Sequence, residues 1–139
     1  MKNKYLYYFL SFTWGLPMVL VGGIVALVML ITGHKPHKNG GGIRFEVGKN
    51  WGGVSLGLVI LTNENPSQHI KNHEFGHTFQ NCWWGPLDAF VIEIPSAIRY
   101  WYRELKYYRR GLRPPTEYDA IWFEGQATSL GTKYMSSWQ

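Results

Sequence analysis

With 139 residues, 14 Lys and Arg against 9 Asp and Glu, and a formal charge of +5, the chain has room for one small domain at most. Its one cysteine, Cys82, excludes an intrachain disulfide. The excess positive charge lies beside apolar or aromatic runs, at residues 35–38 and 99–113; this placement suits anionic lipid headgroups, and with no recognised nucleic-acid-binding module no nucleic-acid partner is expected.

Residues 1–4 make a short basic start, and from Tyr5 to Thr32 no side chain is charged. As one helix rising about 1.5 Å per residue, that run would reach about 40 Å, enough to cross a hydrocarbon core with tilt. Its first half carries Tyr5, Tyr7, Tyr8, Phe9, Phe12 and Trp14, an aromatic collar of the kind found at membrane–water interfaces, and Gly15-Leu16-Pro17 offers a kink. The run is longer than a signal core, no small-residue cleavage site follows it, and His34-Lys35-Pro36-His37-Lys38 reads as a stop-transfer flank. The expectation is one retained transmembrane anchor helix over residues 1–33, in a single-pass membrane protein. Lys35, Lys38, Arg44 and Lys49 after the helix outnumber Lys2 and Lys4 before it, so the positive-inside rule places the remainder on the cytoplasmic side.

Residues 34–42 read as a basic, glycine-rich linker, and residues 43–139 as the extramembrane domain. Residues 43–47 alternate apolar and charged side chains as a half-exposed strand does. After the turn residues 48–53, residues 54–61 read as one more buried strand, and the two together as a β-hairpin. Ser67 caps a helix from Gln68 to Cys82 or Trp83, ended by Gly85-Pro86. Phe75, Phe79 and Cys82 fall on one face of it; His69, His73, His77 and Gln80 or Asn81 fall on the other.

Residues 87–102 are apolar and aromatic but contain Asp88, Glu93, Pro95 and Arg99, so they read as a core helix or one lying at a membrane surface. Residues 99–110 interleave bases and aromatics, a pattern for anionic headgroups or for an ordinary amphipathic helix. Thr116 caps a last helix with Glu117 in its first turn; it carries Glu124 and stops at Gly131.

The chemistry centres on His73-Glu74-Phe75-Gly76-His77. Two histidines four apart on a helix project from one face and can take two corners of a zinc site, with the intervening glutamate beside the metal's water. A catalytic zinc needs a third protein ligand, and no histidine follows His77. Asp88, Glu93, Glu104, Glu117, Asp119 and Glu124 are the downstream carboxylates. Glu124 lies among Ile121, Trp122, Phe123 and Ala127, where an uncompensated carboxylate is expensive to bury and a metal would offset the cost.

His73-Glu74-Phe75-Gly76-His77-Thr78, with Glu124-Gly125-Gln126-Ala127, resembles the gluzincin class of zinc metallopeptidases. More narrowly, residues 73–80, Gly85-Pro86-Leu87 and Ile94-Pro95-Ser96 resemble small bacterial membrane proteins carrying an HE[FY]GHT motif. The resemblance implies an α+β, zincin-like domain built of a β-hairpin, the HExxH helix and a later glutamate helix. It implies His73, His77 and Glu124 as Zn2+ ligands and Glu74 as catalytic base, acting on a peptide or protein substrate near the membrane. Gluzincins often carry Asp four residues after the ligand glutamate; this chain has Thr128, so Thr128, Asp88 and Asp119 stand as partners for the ligand histidines. Tyr118, Tyr100, Arg99 and His69 stand as oxyanion donors. The alternative is a non-catalytic membrane protein with a structural zinc or a lipid-surface-binding role.

Overall fold

Glycines four residues from a small or polar neighbour on each of two helices set the central contact of the fold. One helix, here α3, spans Gln68–Trp84, and the other, the last in the chain, spans Trp122–Trp138. A methyl group on Gly76 would occupy the place of the Ala127 carbonyl, and one on Gly131 that of the Asn72 carbonyl. The two helices therefore meet backbone to backbone and run antiparallel, since Gly76 faces Ala127 while Asn72 faces Gly131.

The computed structural model describes residues 3–49, 51–116 and 118–138. Lys2, Asn50 and Glu117, used in reading the sequence, and the side chain of Asp119 lie outside the described residues. The described chain is α+β, with five α-helices and one four-stranded sheet. In chain order these are α1 (Lys4–Phe12), α2 (Leu16–Ile31), β1 (His37–Asn39), β2 (Gly42–Glu46), β3 (Gly53–Leu56), β4 (Val59–Thr62), α3, α4 (Ile94–Lys106) and α5, the Trp122–Trp138 helix.

The single transmembrane helix expected over residues 1–33 does not form. No single helix among the described residues is long and apolar enough to cross a membrane; α1 and α2 are instead a pair bent by 86°. At 16 residues α2 is about 24 Å long, short of a hydrocarbon core of about 30 Å. The break has local and tertiary causes. Pro17 in the first turn of α2 lacks an N–H and prevents a continuous ladder, while Gly15 lies so close to the Asn81 side chain that a Cβ would collide with it. The helices also serve different surfaces: α1 packs on α3, and α2 packs on β3 and β4. Gly22 of α2 approaches the Leu56 carbonyl, and Gly57 approaches the α2 backbone at Val19.

Tyr7, read from sequence as part of an interfacial collar, is fully buried in the core. Its ring meets those of Phe79 and Trp138 at centroid distances of 5.1 and 4.7 Å, and its hydroxyl donates to Thr78 Oγ1 at 2.6 Å. Phe75, Cys82, Tyr134 and Met135 complete this cluster between α1, α3 and α5.

The sheet has the order β1-β2-β4-β3, antiparallel at both margins and parallel between β2 and β4. The run at residues 54–61 is two strands rather than one, folded back by a two-residue turn at Gly57-Leu58 with Gly57 at positive φ. Likewise Gly40-Gly41, within the expected linker, closes a tight hairpin between β1 and β2. The expected hairpin of residues 43–47 with 54–61 is thus replaced by a parallel β2–β4 pair with β3 on the edge.

Gly76→Ala and Gly131→Ala should each destabilise the fold by about 3 kcal/mol or more, because a methyl must displace backbone rather than a mobile side chain. Gly23→Ala, which meets nothing within 4 Å, should be neutral or slightly stabilising. Denaturant unfolding curves on the three variants check the contrast.

Candidate metal centre

The helix carrying the motif forms where its capping chemistry predicts. Ser67 Oγ accepts from the Ile70 N–H at 3.2 Å, and Gly85, at positive φ, follows the last turn. Phe75, Phe79 and Cys82 bury one face against α1 and α5. The face bearing His73 and His77 turns toward the first two turns of α5, where Glu124 and Thr128 sit four apart.

Three side chains converge there. The Nε2 atoms of His73 and His77 lie 3.2 Å apart. Glu124 Oε2 is 3.5 Å from the first and Oε1 is 3.3 Å from the second. All three residues are buried, Glu124 completely. His73, Glu74 and His77 each present one ligand atom, all within 4.8 Å of one another, so this buried group can hold a metal ion.

The hydrogen bonds behind the imidazoles determine which nitrogen faces the centre. Gln80 Nε2 donates to the Phe123 carbonyl at 2.7 Å and to Gln126 Oε1 at 3.0 Å. A carbonyl only accepts, so the Gln80 amide is oriented with Oε1 toward His77 Nδ1, 2.7 Å away. His77 must then carry its proton on Nδ1, which leaves the Nε2 lone pair for a metal. His73 Nδ1 is held at 2.8 Å by Thr128 Oγ1. Two imidazole nitrogens and a carboxylate lie within 3.5 Å of one another, and among the described residues no hydrogen-bond partner reaches the buried Glu74 Oε2.

Without a metal, a proton is held among these groups. Burial would lower the pKa of His77, but its hydrogen bond to Glu124 and the charges of Glu74 and Glu93 outweigh that and raise it to about 10. Burial works against ionisation of Glu124, yet hydrogen bonds from His73 and His77 hold it well below the usual carboxylate range. Glu74 is pushed up by burial, an effect opposed by both imidazoles and reinforced by the charge of Glu124.

Glu74 lies directly against the start of β3: a Cβ on Gly53 would come within 2.9 Å of its side chain. Two adjoining cavities, ≈ 510 and ≈ 390 Å³, open beside it. His73, Glu74, Trp51, Gly53, Tyr100 and Tyr118 line both. Tyr118 stacks edge-on to His73, and its hydroxyl is 3.5 Å from Ser96 Oγ, which itself donates to Glu124 Oε1 at 3.0 Å. Burial, then the charge of Glu124, raises the Tyr118 pKa, so the phenol keeps its proton. Arg99 Nη2 donates to the Tyr118 carbonyl at 3.1 Å, and the buried Arg103 holds the Thr116 carbonyl at 3.0 Å.

The structure thus brings His73, Glu74, His77 and Glu124 together, with Thr128 behind His73. Among the proposed oxyanion donors Tyr118, Tyr100 and His69 line the cavities, while Arg99 reaches the backbone of Tyr118. Asp88 does not hydrogen-bond either histidine. It is buried beside Glu93, and burial raises both carboxyls, Asp88 to about 6. The sequence leaves either Gln80 or Asn81 on the histidine face without a role, and it offers Ser96 only as part of Ile94-Pro95-Ser96, also without a role. The spacing of His77 and Gln80, three apart on one helix, was the available signal for the first; Ser96 has none, because its contact with Glu124 spans two elements. No known protein family, curated protein or solved structure matches the chain.

Metal loading should displace the proton on His77. With that pKa near 10 in the metal-free protein, about one proton should be released on binding at pH 7, and apparent affinity should weaken by about tenfold per unit as pH falls. Calorimetry in buffers of different ionisation enthalpy measures the release. Gln80→Leu should lower metal affinity about 10–100-fold while leaving the three ligands in place, as read by competition with a chromogenic chelator.

Proposed function

We propose that the chain is a gluzincin-type zinc metallopeptidase that hydrolyses peptide bonds in a peptide or protein substrate. The observation that carries this reading is the convergence of two imidazole nitrogens and a buried carboxylate with edges of 3.2, 3.3 and 3.5 Å. A tetrahedral zinc with ligand bonds of about 2.0–2.1 Å requires edges of about 3.3–3.4 Å, and this donor set is one that zinc takes in catalytic sites. The identity of the metal rests on that match and on the HExxH pattern.

Zinc, when bound, lowers the pKa of water towards neutrality and polarises a carbonyl. The remaining work falls to the protein. Glu74, on the same face one residue after His73 and open to both cavities, accepts the proton of the attacking water and returns it to the leaving nitrogen. Burial raises its pKa above the ordinary carboxylate value, the direction that favours taking up the proton. Tyr118, held protonated, donates to the carbonyl oxygen as negative charge develops there. Beside Glu74, β3 is an edge strand, so its unpaired backbone groups can align an extended peptide across the cavity.

Glu74→Gln should retain stoichiometric zinc and lose activity by about 10²–10⁴-fold. Glu124→Ala should lose zinc, and Tyr118→Phe should keep it while lowering kcat by about 10²–10³-fold. Metal analysis of each purified variant, beside cleavage of a peptide library, separates these outcomes. Wild-type protein that holds zinc with no exchangeable coordination position and cleaves nothing would return the site to a structural role.

A further inference from the structure

The basic aromatic region around α4 is not used up by the metal centre. Phe90, Ile94, Ile98, Trp101 and Leu105 recur at intervals of four, four, three and four residues, so they form one stripe along α4 and the turn before it. All five are 47–70 % exposed. This stripe is longer than the scattered single apolar residues normal on a soluble surface. It continues toward the N-terminal helices: the turn at Gly85–Leu87 packs against α2 and carries exposed Leu87. On α2 itself Ile24, Leu27 and Ile31 are 59–76 % exposed.

Among the described residues, the exposed charge along residues 87–113 has one sign. Lys106 at the end of α4 is exposed, as are Arg109, Arg110 and Arg113 in the segment that follows it and Lys35 and Lys38 after α2. Within residues 87–113 no acidic side chain is exposed: Asp88 is buried, and Glu93 and Glu104 are half-buried. Arg103 is a different case, being buried and spent on the Thr116 carbonyl and the Tyr118 ring. A second copy of the same cationic face would be repelled, whereas an anionic surface attracts each exposed base.

We infer that α4 lies in the plane of an anionic phospholipid bilayer. Its Phe90–Leu105 stripe enters the acyl boundary of one leaflet, its C-terminal bases sit among the headgroups, and the outer face of α2 extends the same contact. The contact is with one leaflet, and among the described residues no single helix is long and apolar enough to cross a membrane. Trp101 belongs to this stripe and also lines the smaller cavity beside Glu74, so the mouth of the site opens next to the lipid.

The test uses the full chain, diluted from nonionic detergent below its critical micelle concentration. It is mixed with vesicles of phosphatidylcholine alone or with phosphatidylglycerol added, and binding is read by flotation. Wild type should float with the mixed vesicles, more weakly in high salt, and much less with neutral ones. Joint reversal of Lys106, Arg109 and Arg110 to Glu should weaken binding about a hundredfold or more. Phe90→Ser with Ile98→Ser and Leu105→Ser should weaken it at least about tenfold while leaving circular dichroism unchanged, since all three side chains are exposed. A polarity-sensitive fluorophore on Ile98→Cys should shift to the blue on mixed vesicles; the only other thiol, Cys82, is buried. Failure to float, binding indifferent to both sets of substitutions, or a fluorophore that stays in water would each overturn the inference. So would an apolar triple variant that turns a dimer into a monomer with vesicle binding intact. No arm requires metal or peptide cleavage, so the lipid and zinc readings stand or fall separately.

Discussion

Between Gly76 and Ala127, and again between Gly131 and Asn72, the backbones of α3 and α5 touch with no side chain between them. That contact brings two helix faces together at the closest approach that backbones allow. His73 and His77 come from one face, Glu124 and Thr128 from the other. A larger residue at either glycine would push the helices apart and draw these side chains away from one another. The candidate metal centre is therefore a consequence of close packing before it is a matter of ligand chemistry.

The same crossing supplies the order behind the ligands. Gln80, one turn beyond His77, is oriented by the Phe123 carbonyl at the start of α5. An acceptor-only group on one helix thus selects the tautomer of an imidazole on the other. Ser96 and Tyr118 approach Glu124 from outside the pair, so the carboxylate is oriented from several directions while fully buried. A proton or a metal ion can satisfy this arrangement, and the competition between them couples the centre to pH.

How much of this was legible in the sequence depended on whether the signal was local. Ser67, the two histidine and phenylalanine faces of α3, and the Gly85-Pro86 stop are encoded within a few residues of where they act, and the helix forms there. Glu124 was conspicuous because a carboxylate among aromatics needs compensation. Long-range contacts were less visible. Gly131 read as a helix end, yet α5 runs through it to Trp138, because its missing side chain serves the crossing rather than a cap. The apolar run of residues 5–32 looked like one span because hydropathy does not distinguish a lipid-facing surface from one facing Phe79 and Trp138. Gly40-Gly41 and Gly57-Leu58 carried turn information that was overlooked, in one case by reading glycines as a linker and in the other by reading an apolar run as a single strand.

Tyr7 lies at the middle of the aromatic cluster beneath the motif helix, and its hydroxyl reaches Thr78, the residue that follows the second histidine. The first helix of the segment that reads as a membrane anchor is therefore a wall of the hydrophobic core. A chain shortened to begin at residue 43 would keep every candidate ligand and still lose the ring that covers Phe75, Phe79 and Trp138. Those aromatics would then face water or one another in neighbouring molecules, so the soluble fragment that the composition invites one to prepare is the form least suited to keeping its metal centre intact.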